Sequence, residues 1–188
     1  MLDLGTSFLA SVARDPHAPA IVDDDVRLTY RQWYGRISAL VAGFDELGLK
    51  RGDHLITVLQ NRWQAATLHW ACQFAGIVIT PLNWRATADD LDFCVADAET
   101  KGVVYEDVAA EAVRASKEAG NLPRIAVGAP RTDELSFDSL AGRTAPDADE
   151  ASIREFLGGH LCRCTGYVPI VAAALDAAEK LKQGVNDA

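Results

Sequence analysis

Hydrophobic residues recur at helical spacing within residues 28–83, and this stretch predicts the architecture of the rest of the chain. Trp33–Leu47 places its apolar side chains on one face of an amphipathic helix. Thr29 and Gln32 lie just before that face in the T-x-x-Q pattern of a capping box, in which each side chain bonds an amide of the first turn. Gly48 follows where a left-handed C-terminal cap is expected. The pattern therefore predicts a capped helix.

Two short apolar runs flank a second helix pattern and have the character of buried strands. The runs are residues 54–60 and 77–81, and the helix between them is predicted to begin after Asn61 as N-cap and to end at Gly76. Strand, helix and strand in succession form a βαβ unit, which implies parallel strands and a right-handed crossover. Further strand and helix patterns alternate up to residue 127, among them a predicted helix from Asp107 to about Ala119. We therefore predict an α/β fold with a partial doubly wound sheet.

The remaining segments divide the chain into three parts. Residues 1–140 form the predicted α/β domain, residues 141–151 a linker, and residues 152–188 a tail that we predict to be an α-helical hairpin. Within the first part, the three aspartates from Asp23 onward indicate a hairpin turn rather than a metal site. Periodicity is lost over residues 128–149, which predicts a surface loop.

Composition limits the classes of partner and compartment. The 188 residues are 49% hydrophobic and 24% charged, as is usual for a globular protein, and the net charge is −9. A strongly acidic chain is not expected to bind nucleic acid or an anionic membrane. The sequence shows no signal peptide and no apolar run of transmembrane length, so we expect a cytoplasmic protein. Four cysteines at irregular spacing do not indicate a disulfide framework.

The helix, strand and turn pattern described above carries a resemblance. The words LTYRQWYGRISALVAGFDELGLKRGDHLITVLQNRWQ, CQFAG and ITPLN occur in this order and spacing. They resemble the N-terminal region of the adenylate-forming acyl-CoA synthetase and ligase superfamily, over residues 7–140. The resemblance implies the N-terminal α/β fold of an acid–CoA ligase, an enzyme that activates a carboxylic acid with ATP. Trp63, Trp70, Phe74 and Trp84 are aromatic residues that by resemblance could line an acyl pocket, although aromatic residues at helical spacing more often form core.

A phosphate loop is the next feature that the resemblance leads us to expect. Members of this superfamily carry a Ser/Thr/Gly-rich loop ending in lysine, because glycine lets backbone amides converge on phosphate oxygens. Residues 141–150 read AGRTAPDADE, which does not fit. We therefore expect the isolated chain to bind no ATP, and we assign no catalytic residue.

The tail carries a second resemblance. Residues 152–181 read SIREFLGGHLCRCTGYVPIVAAALDAAEKL, and the L-C-R-C-T-G-Y word is similar to the [2Fe–2S]-binding segment of iron–sulfur subunits of molybdenum hydroxylases, of the xanthine and carbon monoxide dehydrogenase type. The resemblance implies that Cys162 and Cys164 are metal ligands. Such a cluster needs four thiolates. Cys72 and Cys94 lie in helix patterns typical of core cysteines, so we expect a cluster only if another chain completes it.

Three functions remain open from the sequence. The first is a truncated or split acyl-CoA ligase-like protein, inactive alone and complementing a partner chain. The second is an iron–sulfur electron-transfer subunit of a molybdenum hydroxylase-type oxidoreductase. The third is a non-catalytic interaction module that arose by gene fusion. The corresponding partners are a second copy of this chain, a larger ligase, or a molybdenum hydroxylase subunit.

Overall fold

A five-stranded parallel sheet forms the centre of the molecule. The structure, a computed structural model, describes residues 4–142. Its strands are β1 (Pro19–Asp23), β2 (Val26–Thr29), β3 (His54–Val58), β4 (Val78–Leu82), β5 (Gly102–Glu106), β6 (Arg124–Val127) and β7 (Leu135–Ser136). Its α-helices are α1 (Leu4–Arg14), α2 (Tyr30–Glu46), α3 (Trp63–Ala75), α4 (Ala88–Asp97), α5 (Ala110–Ala115) and α6 (Phe137–Ala141).

The strand order confirms the predicted parallel α/β architecture. The sheet runs β4-β3-β5-β6-β7, and every neighbouring pair is parallel. The first crossover, through α3, places β4 on one side of β3, and the next, through α4, returns the chain to place β5 on the other side. The direction of strand addition therefore reverses between β3 and β5. Strands β1 and β2 form a separate antiparallel hairpin, as the three aspartates predicted.

The first face of the sheet is covered by α2, α3 and α6. Helix α2 begins as the sequence predicts, because Thr29 and Gln32 form both hydrogen bonds of the capping box. Gly48 adopts the expected left-handed conformation, with φ of 75°. The core of this face includes Ile37, Leu40, Phe44, Leu55, Leu68, Cys72, Val104, Ile125, Phe137 and Leu140.

The second face is covered by α4 and α5. Its core is smaller and includes Ile56, Val58, Leu91, Val95, Val103, Tyr105, Val113 and Ala126. Helix α4 starts with its own capping box, formed by Thr87 and Asp90. Strands β3 and β5 thus bury both of their faces, as expected for central strands of a doubly wound sheet.

Helix α1 packs on α2 and α3 through one aromatic side chain. The ring of Phe8 lies 4.6 Å from that of Trp70 and 5.3 Å from that of Trp33, centroid to centroid. The rings of Tyr34 and Phe74 also lie within 6.3 Å of Phe8. These edge and tilted arrangements are the favoured geometries of aromatic pairs, so α1 is anchored by ring packing.

The predicted loop over residues 128–149 is wrong for residues 135–141. Strand β7 and helix α6 occupy residues 135–141, and Phe137 is fully buried. Helix α6 fits against α2 because Gly43 has no side chain; a Cβ built there would lie 3.0 Å from Cδ2 of Leu140. Both elements are too short to show periodicity, and their burial depends on the distant helix α2.

Two helix boundaries also differ from the predictions. The N-cap of α3 is Arg62 rather than Asn61, and the cap has no side-chain hydrogen bond of its own. The single helix predicted from Asp107 to Ala119 is instead a 3₁₀ turn followed by α5, with a second 3₁₀ turn at Ala119–Asn121. Between residues 4 and 142, no helix is long and apolar enough to cross a membrane. Of the predicted linker, Ala141 is the last residue of α6, and the linker beyond residue 142 and the helical tail lie outside the described residues.

Candidate functional site

The carboxyl ends of β3 and β5 mark the candidate functional site. In open α/β sheets, ligands bind outside the carboxyl ends of the strands, at the point where strand order reverses. Here that point lies between β3 and β5. The two strands are in register from Leu55 and Gly102 to Val58 and Tyr105, so their ends lie side by side.

Glu106 connects the two strands at this point. It is the last residue of β5 and only 8% exposed. Its carboxylate oxygen Oε2 accepts a hydrogen bond of 3.0 Å from the backbone N–H of Gln60, in the loop that follows β3. A carboxylate that accepts a backbone hydrogen bond fixes the position of that segment. Glu106 therefore holds the β3 loop against the end of β5.

A second close contact lies beside Glu106. Asp107 follows it directly, and Gly128 follows the end of β6. Gly128 has φ of 109°, and a Cβ built there would lie 3.0 Å from Oδ2 of Asp107. Glycine is suited to this position because it tolerates the positive φ and leaves room for the carboxylate. The edge therefore presents two consecutive acidic residues.

Strand β4 contributes an amide, an aromatic ring and a cation. Oδ1 of Asn83 accepts a hydrogen bond of 2.9 Å from the backbone N–H of Arg85, which forms a tight turn after the strand. The Arg85 guanidinium carbon lies 3.5 Å from the centroid of the Trp84 ring. Such a stack is favourable because the ring face is electron-rich. Trp84 is thus the one predicted pocket aromatic that lies at the carboxyl edge.

The start of α3 adjoins this edge and is capped from a distance. Oδ2 of Asp23 accepts a hydrogen bond of 2.9 Å from the backbone N–H of Trp63, so the hairpin supplies the cap that the helix itself lacks. A hollow of about 190 Å³ lies between the hairpin and this helix start. Its wall includes Val22, which is 63% exposed, and Asn61.

A larger hollow lies at the opposite, amino edge of the sheet. It measures about 350 Å³ and is lined by Asp53, His54, Asp97 and Glu99 together with neighbouring residues. Nδ1 of His54 is buried without a hydrogen-bond partner. Among the described residues, no group of three or more His, Cys, Asp or Glu side chains is arranged to hold a metal ion.

The cysteines are divided between the two faces of the sheet. Cys72 on α3 is buried in the first core, and that burial raises the pKa of its thiol to about 12. Cys94 on α4 packs against the second core. The sheet separates the two thiols, so they cannot join a single four-thiolate site. Cys162 and Cys164 lie outside the described residues.

Three of the four aromatic residues suggested for an acyl pocket are packing residues. Trp70 and Phe74 belong to the cluster around Phe8. Trp63 packs edge-on against Phe137, with ring centroids 5.6 Å apart. Glu106 was not predicted from the sequence, although the sequence does show an acidic residue at the end of an apolar strand.

Comparison with known proteins agrees with this geometry. The family described as "AMP-binding enzyme" matches residues 8–173. The chain belongs to this family. The match includes the whole of the parallel sheet and extends beyond the described residues.

Two curated relatives whose names describe CoA-forming ligases are more than twice as long as this chain. A feruloyl-CoA synthase of Amycolatopsis sp is 30% identical over 125 residues, which are 66% of this chain and 25% of that protein. The long-chain-fatty-acid–CoA ligase FadD13 of Mycobacterium tuberculosis is 26% identical over 156 residues, which are 81% of this chain and 30% of that protein. The match therefore spans about a quarter to a third of the length of these relatives.

Solved structures show the same fold. A benzoate CoA ligase from Burkholderia xenovorans LB400 superposes with a TM-score of 0.70 at 16% identity, covering 88% of this chain and 31% of that one. The N-terminal domain of FACL13 from Mycobacterium tuberculosis superposes with a TM-score of 0.65 at 24% identity, covering 88% and 39%. The mixed α/β fold with a parallel sheet is therefore that of the N-terminal domain of acyl-CoA ligases.

Proposed function

We propose that this chain supplies the N-terminal α/β scaffold of an acid–CoA ligase, and that the 188 residues alone do not adenylate a carboxylic acid. The observation that carries the proposal is the family match over residues 8–173 in a chain whose matches span a quarter to a third of its ligase relatives. The relatives named above act on feruloyl and long-chain fatty acyl groups.

The residues at the carboxyl edge support the proposal that this chain alone does not adenylate a carboxylic acid. Adenylation requires groups that position and neutralise phosphate oxygens. The acidic residues at the switch point between β3 and β5 are Glu106, which is buried and bonded to Gln60, and Asp107, which is exposed. Neither side chain can neutralise phosphate oxygens, so the switch point itself does not supply the groups that adenylation needs. Its role is to support a crevice that groups outside residues 4–142 complete.

Calorimetry with the 188-residue chain tests the ATP statement. Titration with Mg²⁺–ATP is expected to give no saturable binding in the micromolar range. Saturable micromolar binding would contradict the proposal.

Complementation tests the scaffold role. The Amycolatopsis feruloyl-CoA synthase, shortened by the region that this chain matches, would be mixed with this chain and with ferulate and Mg²⁺–ATP. Pyrophosphate release is expected from the mixture and from neither chain alone. A folded mixture that releases no pyrophosphate would contradict a complementing role.

We also propose a separate role for Cys162 and Cys164, based on the L-C-R-C-T-G-Y word. The division of Cys72 and Cys94 between opposite faces means that this chain cannot supply four converging thiolates. A second copy, or a subunit of the molybdenum hydroxylase type, would have to supply the other two. When bound, a [2Fe–2S] cluster would carry single electrons. The third alternative, an interaction module without activity, would hold no metal.

Anaerobic reconstitution with iron and sulfide distinguishes these alternatives. Wild-type chain is expected to bind iron and to shift to a dimer, while the Cys162→Ser, Cys164→Ser double variant does neither. Cys72→Ala and Cys94→Ala are matched controls that are expected to bind iron as the wild type does. A metal-free wild type of unchanged size would sink the cluster proposal.

A further inference from the structure

Strand β4 forms one edge of the parallel sheet and, among residues 4–142, pairs only with β3. An open strand edge is a template on which a strand from another molecule can pair. Val78 on this strand is 44% exposed, which adds an apolar side chain to the open edge. The edge would therefore be prone to association unless something limits its hydrogen bonding.

The direction of each backbone group in β4 follows from its pairing. The N–H of Val78 donates a hydrogen bond of 2.8 Å to the carbonyl of Asp53, so Val78 is directed toward β3. In a parallel ladder the backbone groups of alternate residues point to the same side. Thr80 and Leu82 therefore also bond to β3, and the N–H positions of the residues between them point outward.

Those outward positions offer few hydrogen-bond donors to an incoming strand. The N–H of Ile77, just before β4, donates internally to the carbonyl of Cys72 at 2.9 Å. After Ile77, the outward positions are Ile79 and Pro81, and proline has no N–H. Within β4 the single outward amide is that of Ile79. The carbonyls of Ile79 and Pro81 remain as outward acceptors, but an added strand would find only one donor and would lose a ladder hydrogen bond at Pro81.

We propose that Pro81 closes the β4 edge against strand addition, so that neither a second copy of this chain nor an extended segment of another protein extends the sheet at this side. The position of the proline is what matters. One residue earlier or later it would break the ladder to β3; at 81 it removes only an outward donor. The proposal is independent of the ligase role.

Replacing the proline tests the proposal directly. In the full 188-residue chain, Pro81→Val restores an outward amide and adds a residue that favours strands. The expected result is a weight-average mass in sedimentation velocity that rises above wild type toward twice its value as concentration increases. Amide hydrogen exchange at Ile79 is expected to slow with the same concentration dependence.

Two further variants separate edge pairing from a general effect of valine. Pro123 is exposed and lies before β6, away from the β4 edge, and Pro123→Val is expected to leave the mass at the wild-type value. Adding Val78→Lys to Pro81→Val places a charge on the edge and is expected to restore the wild-type mass. If Pro81→Val does not fold, Pro81→Thr is measured in its place. A folded variant at position 81 with wild-type mass and exchange, or equal association by Pro123→Val, would overturn the proposal.

Discussion

The two faces of the sheet are held by different kinds of interaction. On the first face, three helices pack through large apolar side chains, and a buried side-chain hydrogen bond joins Nε1 of Trp33 to Oγ1 of Thr67 at 2.9 Å. On the second face, the shorter helices α4 and α5 leave a smaller core. Polar side chains connect its parts: Ser116 donates to the carboxylate of Asp92, and Asp92 also accepts from the backbone N–H of Glu118.

A buried acidic side chain completes the second face. The side chain of Glu134 is 1% exposed and accepts a hydrogen bond of 2.9 Å from the backbone N–H of Arg131. Nε of Arg124 lies 3.6 Å from it, and Tyr105 donates a hydrogen bond to it. We therefore expect protein stability to depend mainly on side-chain volume at the first face and on single hydrogen bonds at the second face.

The largest expected effect is a loss of volume on the first face. Phe137→Ala removes a fully buried ring that packs on Trp63, and such truncations cost about 3–5 kcal/mol of unfolding free energy. Urea denaturation measures the change. The control is Phe93→Ala on α4, where the ring is 69% exposed, and the expected change there is within about 0.5 kcal/mol. Equal losses in the two variants would contradict the assignment of the core.

The next effect is the loss of one hydrogen bond on the second face. Tyr105→Phe keeps the ring but leaves the buried carboxylate of Glu134 short of a donor, which is expected to cost about 1–3 kcal/mol. Thermal and urea unfolding at neutral pH measure it. A loss below the error of the measurement would show that Glu134 finds another partner.

Stability at alkaline pH is expected to depend on one titrating group from each face. Burial and the adjacent Glu134 raise the pKa of Tyr105 from 10.0 to about 12, so the folded protein keeps a proton that the unfolded chain releases. Its contribution to stability is present below pH 10 and is lost as the pH rises to 12. For Cys72, burial raises the pKa from 9.0 to about 12, so the loss begins near pH 9. Tyr105→Phe is expected to remove the later decline and Cys72→Ala the earlier one; unchanged profiles would contradict both assignments.

The smallest expected effect compares the two capping boxes, one for each face. Thr29→Ala uncaps α2 and Thr87→Ala uncaps α4, and each loses a side-chain acceptor for a backbone N–H of the first turn. Each is expected to cost about 1 kcal/mol, because a cap acts locally whatever the helix packs on. Thr29→Ser and Thr87→Ser keep the hydroxyl and should retain most of the stability. A much larger cost on either face would mean that the cap also supports tertiary contacts.

Local signals in the sequence predicted much of the fold. The capping box of Thr29 and Gln32, the glycine at 48 and the apolar face of α2 all act within one helix, and each was found as predicted. The same is true of β3, α3 and β4, whose periodicity and order define the βαβ unit.

Features that depend on distant residues could not be predicted in this way. The cap of α3 comes from Asp23, which lies 40 residues earlier in the chain. The burial of α6 depends on Gly43 in α2. At the candidate site, Glu106 gains its role from a hydrogen bond to Gln60 across 46 residues. The strand order that brings them together is a property of the whole sheet.

The fit of Leu140 against Gly43 has a consequence for synthesis. Helix α2 is synthesised early, but Leu140, which packs against Gly43 of α2, belongs to the last helix of the described residues. Because chains emerge from the ribosome N-terminus first, the first face stays incomplete until α6 has left the exit tunnel. Until then, helix α2 and its aromatic partners from α1 and α3 leave an apolar groove exposed to solvent. A ribosome that pauses just before α6 would leave that groove exposed to chaperones.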